Sequence, residues 1–238
     1  MIQNNKIICI IPARKGSVGL PNKNMKNLLG KPLIQWTIES ALKSKLISKI
    51  IVSTDSEKII SFVKKKYSNK VEVPFKRPKK YSGNNSPVSS TILHALNFYK
   101  KKKKEFEYIM LLEPTSPIRF SKDIDNAINK FLLKKNKYDG IISIGEVKLN
   151  PFLLKTIIKY KIKNLFKIQK SNLNRQNFKK VYFPFGLIYF SKIKIYIKRK
   201  TFYTNNSMFY KIKDVQCYEI DDINDFYCTE TIMKKINL

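Results

Sequence analysis

The chain has 238 residues, 43% of them hydrophobic, enough apolar material for one sizeable α/β domain with a real core. Its 48 Lys and Arg against 17 Asp and Glu give a formal charge of +31, but the lysines are spread along the whole chain without a recognition motif, which argues against a specific nucleic-acid partner and for attraction of polyanionic small molecules such as nucleoside triphosphates. Three cysteines with no CxxC pair and a single histidine, His94, argue against a disulfide framework and a zinc site.

The first apolar run, IICII, is too short for a membrane span and lacks a signal-cleavage region, so no membrane insertion and a cytoplasmic location are expected. In chain order, the periodicity predicts a strand at 7–11, a helix at 33–44, a strand at 50–53 and a helix at 57–67. A helix at 89–99, a strand at 108–112, a helix at 123–133 and a buried strand at 140–144 follow. Strands alternating with crossover helices imply an α/β fold, a three-layer Rossmann-like α/β/α sandwich around a mostly parallel sheet. From about residue 150 the rhythm breaks, and 150–180 reads as an insertion, a strand pair or a dimer contact. Apolar runs at 182–190 and 215–220 are expected to return to the sheet before a last helix at 224–235, all within a single domain of residues 1–238.

Two of the seven glycines, Gly16 and Gly19, fall in the loop PARKGSVGLPNKN directly after the first strand. Loops at the carboxyl ends of parallel strands are where such sheets bind ligands, and glycines there let backbone N–H groups approach phosphate oxygens. Arg14 and Lys23 add side-chain cations suited to a triphosphate and to the charge that develops when pyrophosphate departs. No GK[ST] and no third glycine follow, so neither the P-loop nor the dinucleotide fingerprint is present. An isolated GxxG would be read as a tight turn, and its flanks decide otherwise.

The segment IPARKGSVGLPNKNMKNLLGKPL resembles the opening of the acylneuraminate cytidylyltransferases, with Pro12, Ala13, Arg14, Gly16, Ser17, Lys23, Asn24 and the GKPL turn matching and Val18 replacing a usual lysine. The resemblance implies a nucleotidyltransferase fold and contacts from Arg14 and Lys23 to the triphosphate. In IIVSTDSEKI, Asp55 reads as the cap of the following helix. In KRPKKYSGNNS, Arg77 matches the arginine that lies over the base, while Asn84 replaces an aspartate. LLEPTSPIR resembles the family's LLQPTSPLR and places Glu113, Thr115, Ser116 and Arg119 near the sugar. Glu113, in place of glutamine, would repel an acidic sugar group and hints at an amine or amide substituent in the substrate.

Further on, NRQNFKKVYFPFGLIYF matches at Arg175, Gln176, Tyr182, Gly186 and Tyr189, with Arg175 suited to a sugar carboxylate and Phe185 replacing asparagine. In YEIDDINDF, Glu219 and Asp221 stand at the family's metal positions, read as two carboxylates on one side of a strand and suited to Mg²⁺, whereas Asp222 and Asp225 start the last helix. The implied catalytic set is Arg14, Lys23 and Asp221. The implied reaction joins CMP from CTP to a sialic, legionaminic or pseudaminic type of sugar for surface glycan synthesis, in a homodimer. Alternatives are the related CMP-ketodeoxyoctulosonate synthetases, another sugar nucleotidyltransferase and an inactive nucleotide-binding scaffold. No residue is assigned as general base, and His94, mid-helix, reads as structural.

Overall fold

The computed structural model describes residues 6–149, 151–166 and 179–237. Its centre is a six-stranded sheet of β1 (Ile7–Pro12), β4 (Lys49–Ser53), β5 (Tyr108–Leu111), β6 (Gly140–Glu146), β9 (Tyr182–Lys192) and β10 (Ser207–Lys211). The order across the sheet is β10-β6-β9-β5-β1-β4. β1 pairs in parallel with β4 and β5, and β10 with β6, whereas β9 runs antiparallel to both of its neighbours. Two short strands, β2 (Asn27–Leu28) and β3 (Lys31–Pro32), form a small ladder that carries the chain from the glycine loop into the first helix.

The sheet alternates because its strands are buried on both faces. Ile7, Cys9 and Ile11 of β1 join a core with α1 (Leu33–Leu42), α2 (Glu57–Tyr67) and α4 (Ser121–Leu132), while Ile8 and Ile10 join a second core with α3 (Val88–Lys101) and α5 (Ile193–Arg199). This is the expected three-layer sandwich. A third cluster packs α6 (Ile223–Lys235) through Phe226 and Met233 under Leu20 and Leu28, so the C-terminal helix supports the glycine loop.

Two expectations change. Residues 215–220 are not a strand: a 3-10 turn at Asp214–Gln216 is followed by extended chain fixed by the bond from Ile220 N–H to Thr115 O, 2.8 Å. The strand at that edge is β10, whose weak pattern buries Met208 and leaves Phe209 exposed. Within the excursion, β7 (Lys155–Ile158) and β8 (Lys161–Asn164) form a hairpin that pairs with no other strand of the described residues. Among those residues no helix is long and apolar enough to cross a membrane.

Candidate active site

A cleft of about 560 Å³ opens at the carboxyl ends of β1, β4 and β5, and residues from the glycine loop, the 77–91 segment, the turn after β5 and the start of α6 converge on it. The glycine loop is held from outside and inside. Outside, Asp55 accepts the N–H of Lys15 at 2.7 Å. The cap of α2 is therefore Ser56, whose hydroxyl oxygen accepts from Ile59 N–H, and not Asp55. Inside, the Asn24 amide donates to Arg14 O at 3.0 Å.

Arg14 and Asn84 come together across the mouth of the cleft, with Nη1 donating to Asn84 Oδ1 at 2.8 Å and to Gly83 O at 3.2 Å. Asparagine thus supplies an acceptor where the resemblance has an aspartate. Lys23 is buried, and its Nζ donates to Ile220 O at 2.5 Å and lies 3.2 Å from Asp221 Oδ1. Gly19 makes this junction possible, because a Cβ there would stand 2.5 Å from the carbonyl oxygen of Asp221. The second glycine of the loop therefore serves close packing against the 221–222 backbone. Ser17 lines the cleft, but Gly16 faces a neighbouring depression on the other side of the loop, and Ala13 lies behind it, buried, with its N–H on Ser53 O.

Arg77 lines the cleft while almost fully buried. Its backbone N–H bonds Thr54 O at 2.7 Å, and its guanidinium donates to Ser53 Oγ at 3.1 Å and to Ser53 O. Burial lowers its pKa to about 10, so it stays cationic at neutral pH with part of its donor fork already engaged. Next to it, Tyr81, Val88 and Thr91 also line the cleft. Sequence reasoning missed these three, whose only signal was their closeness to Arg77. His94 packs edge-on against Phe75, centroids 4.3 Å apart, and is absent from the cleft lining, in keeping with a structural role.

The turn after β5 divides its residues between cleft and core. Glu113 and Thr115 face the cleft. Ser116 is buried and donates to Glu219 Oε1 at 2.9 Å. Arg119, expected at the sugar, is instead a core strut: its guanidinium donates to Leu187 O at 2.6 Å, Thr37 Oγ1 at 2.8 Å, Glu113 O at 2.9 Å and Gly186 O at 3.0 Å. Those bonds spend its fork on protein acceptors.

Glu219 is corrected for a similar reason. With no strand at 215–220, it does not share a face with Asp221; its Oε1 also accepts Gly186 N–H at 2.5 Å and is absent from the cleft lining. Asp221 has an exposed carboxylate in the cleft, 84% accessible. Asp222 and Asp225 make the capping box of α6, as expected, although Asp222 also borders the cleft. Among the described residues no group of three His, Cys, Asp or Glu could hold a metal alone. Mg²⁺ at a nucleotide takes one or two carboxylates plus phosphate oxygens and water, and the open carboxylate of Asp221 fits that demand.

Tyr182 lies away from the cleft, exposed at the start of β9 beneath the Lys211 ammonium. Phe185 lines a separate depression with Val147 and Cys217. Arg175 and Gln176 lie outside the described residues.

A family model described as Cytidylyltransferase matches residues 8–234. The N-acylneuraminate cytidylyltransferase of Escherichia coli O18:K1:H7 is 34% identical over 98% of this chain, which spans 53% of that protein, about half its length. The CMP-N,N'-diacetyllegionaminic acid synthase of Legionella pneumophila is 32% identical over 96% of this chain and 97% of its own. In fold, a CMP:2-keto-3-deoxy-manno-octonic acid synthetase solved in complex with CTP superposes with a TM-score of 0.70 at 13% identity, covering 98% of this chain and all of that one.

Proposed function

The chain belongs to the cytidylyltransferase family, and on that premise we propose that it transfers CMP from CTP to the anomeric hydroxyl of an acidic nonulosonate, releasing pyrophosphate. The sugar is of the sialic, legionaminic or pseudaminic type. The observation that carries this reading is the meeting of Arg14, Lys23 and Asp221 at one cleft: Lys23 and Asp221, 198 positions apart in the chain, form an ion pair beside the glycine loop. Polar groups fixed before the ligand arrives lower the cost of reorganisation when charge builds on the α-phosphorus.

In this reading Arg14 and Lys23 bind the phosphates, Arg77 and Asn84 border the base, and Thr115 and Glu113 lie toward the sugar. Asp221 would hold Mg²⁺ together with phosphate oxygens, and the ion would supply charge neutralisation when bound. Lys23 steadies the Asp221 carboxylate, and the backbone contact at Gly19 keeps the two segments in register. We place the reaction in the cytoplasm, with CMP-sugar passing to surface-glycan assembly. We also propose a homodimer built on the β7–β8 hairpin, since Ile157 and Ile162 pair opposite one another and are 76% and 73% exposed, an apolar face suited to a second copy.

The test is pyrophosphate release with CTP, Mg²⁺ and a panel of nonulosonic acids, with UTP, GTP and ATP as competitors. CTP-dependent release with at least one sugar is expected. CTP binding without release from any sugar would overturn the reading in favour of an inactive scaffold.

A further inference from the structure

The lysines are spread along the whole sequence, but the fold gathers many of them at one end of the domain. In a sheet of parallel strands joined by crossover helices, each helix runs back and ends beside the start of the next strand. The cleft lies at the carboxyl ends of the strands, so the helix C-termini lie at the opposite, lower edge. Three helices end there in lysine: Lys64–Lys66 in the last turn of α2, Lys100–Lys104 at the end of α3, and Lys134 and Lys137 just beyond α4. Backbone bonds tie each of these ends to the strand starts. Glu72 N–H bonds Ile50 O at 3.0 Å, Glu107 N–H bonds Lys6 O at 2.9 Å, and Asn206 bridges Lys137 O to Asp139 N–H.

A helix dipole accounts for cations in a last turn and no further. Lys103, Lys104 and Lys137 stand beyond their helices, where that attraction has faded. All the lysines named are exposed, and among the described residues none of them forms an ion pair. Two carboxylates of the lower edge are already engaged, Glu72 by Lys49 and the Tyr99 hydroxyl and Asp139 by the Thr204 hydroxyl. Glu105 and Glu107 also lie there, fewer than the cations around them. The acidic residues of the helix first turns, Glu57, Asp123 and Asp225, belong to the cleft end. Charge is therefore polarised along the strands.

From β6 to β4 the lower edge spans about 20 Å at the ordinary spacing of paired strands. Its helix ends carry lysine and no arginine, whose fork reads bases and grips phosphate bidentately. Leu133, 86% exposed and next to Lys134, is an aliphatic side chain and no platform for stacking a base. Lysine charge around an exposed aliphatic matches the headgroup region of a bilayer better than a nucleic acid. We propose that this edge docks on an anionic phospholipid surface, with the cleft facing away from the bilayer and open to solution. Each lysine close to such a surface strengthens binding about fivefold, and salt screens the attraction.

The experiment is co-sedimentation of the full chain with vesicles of phosphatidylcholine containing one third phosphatidylglycerol, and with phosphatidylcholine alone, at about 0.1 M and about 0.5 M salt. One triple variant, Lys65→Glu with Lys101→Glu and Lys134→Glu, reverses a charge at each of the three helix ends. A second, Lys58→Glu with Lys148→Glu and Lys235→Glu, makes the same change in net charge at exposed positions toward the cleft end. Wild type should bind the anionic vesicles alone and be released at the higher salt. The lower-edge variant should lose at least about tenfold in affinity, while the cleft-end variant stays within about threefold of wild type. Leu133→Ser keeps every charge and should weaken binding at least about threefold. A wild type that does not bind anionic vesicles, an equal loss in the two triple variants, or an unchanged affinity in Leu133→Ser overturns the proposal. Wild-type binding to duplex DNA or RNA that is tighter than to the vesicles and is lost in the lower-edge variant overturns it in favour of a nucleic acid.

Discussion

Removing the Arg119 side chain should cost stability and not substrate affinity. In Arg119→Ala, four acceptors lose a bond: the carbonyls of Leu187, Glu113 and Gly186 and the Thr37 hydroxyl. Gly186 O keeps the N–H of Glu113 and Glu113 O keeps that of Ser116, so the loss falls mainly on Leu187 O and the Thr37 hydroxyl. Each buried group left unpaired costs about 1–3 kcal/mol, which for two groups is about 2–6 kcal/mol. Arg119 is 3% exposed, and burial lowers its pKa to about 10, so truncation also removes a charge that was expensive to bury. That relief offsets part of the loss, leaving a net destabilisation of about 2–4 kcal/mol. Against a typical total of about 5–15 kcal/mol this is large, and for a domain of this size it lowers Tm by roughly 4–16 °C. Arg119→Lys keeps the charge but has no fork to span four acceptors, and it should fall between the two. The assay is urea and thermal unfolding of the three proteins, with the KM for sugar measured on whatever remains folded. A Tm for Arg119→Ala within about 2 °C of wild type, together with a raised sugar KM, would show that the side chain contacts substrate and would refute the strut argument.

Lys23→Ala and Asp221→Ala should each lower turnover at least about tenfold in the pyrophosphate assay, and wild-type rates in both would sink the proposed charge-stabilising set. The two loop glycines should part company. Gly19→Ala puts a methyl against the Asp221 carbonyl and should cost about 1–3 kcal/mol in chemical unfolding, whereas Gly16→Ala, with nothing within 4 Å, should be nearly neutral. Glu113 gives a pH signature in stability. Its pKa of about 7 in the folded chain lies above the ordinary 4.5 of a glutamate, so the native state holds this proton more tightly than the unfolded chain, and the advantage is lost as pH rises through 7. Glu113→Gln should therefore gain about 3 kcal/mol over wild type at pH 8 relative to pH 4.5, read from paired denaturation curves; a gain independent of pH would contradict it. Ile157→Lys combined with Ile162→Lys should yield monomers in analytical ultracentrifugation while leaving Tm close to wild type, and a persisting dimer would move the interface elsewhere.

The parts of this molecule that were legible in sequence are those where local pattern and final environment agree. β1, β4, β5 and their crossover helices bury apolar residues at the period their own geometry dictates, and the periodicity located them closely. The direction of β9 was hidden, because a strand buried on both faces reads the same parallel or antiparallel. At 215–220 the apolar spacing came from a 3-10 turn and from Ile220, which is buried under the glycine loop and belongs to no strand. In the site, the glycine loop, the Arg77 segment, the turn after β5 and the chain leading into α6 border the cleft, but which side chain enters it is set one residue at a time. Thr115 faces the cleft and the adjacent Ser116 turns to Glu219. Arg119 and Glu219 are polar groups that announce a need for partners without saying which. Their partners are created by β9 returning 67 positions away from Arg119 and bringing Gly186 against the 113–119 turn. The same return leaves Glu113 beside a glycine, facing a second carboxylate, with no cation in hydrogen-bonding reach among the described residues. A residue-for-residue comparison records Glu113 as a loss of the family's amide. The packing around it adds what that comparison leaves out: burial and the facing Glu219 carboxylate favour the protonated form of the carboxyl that took the amide's place.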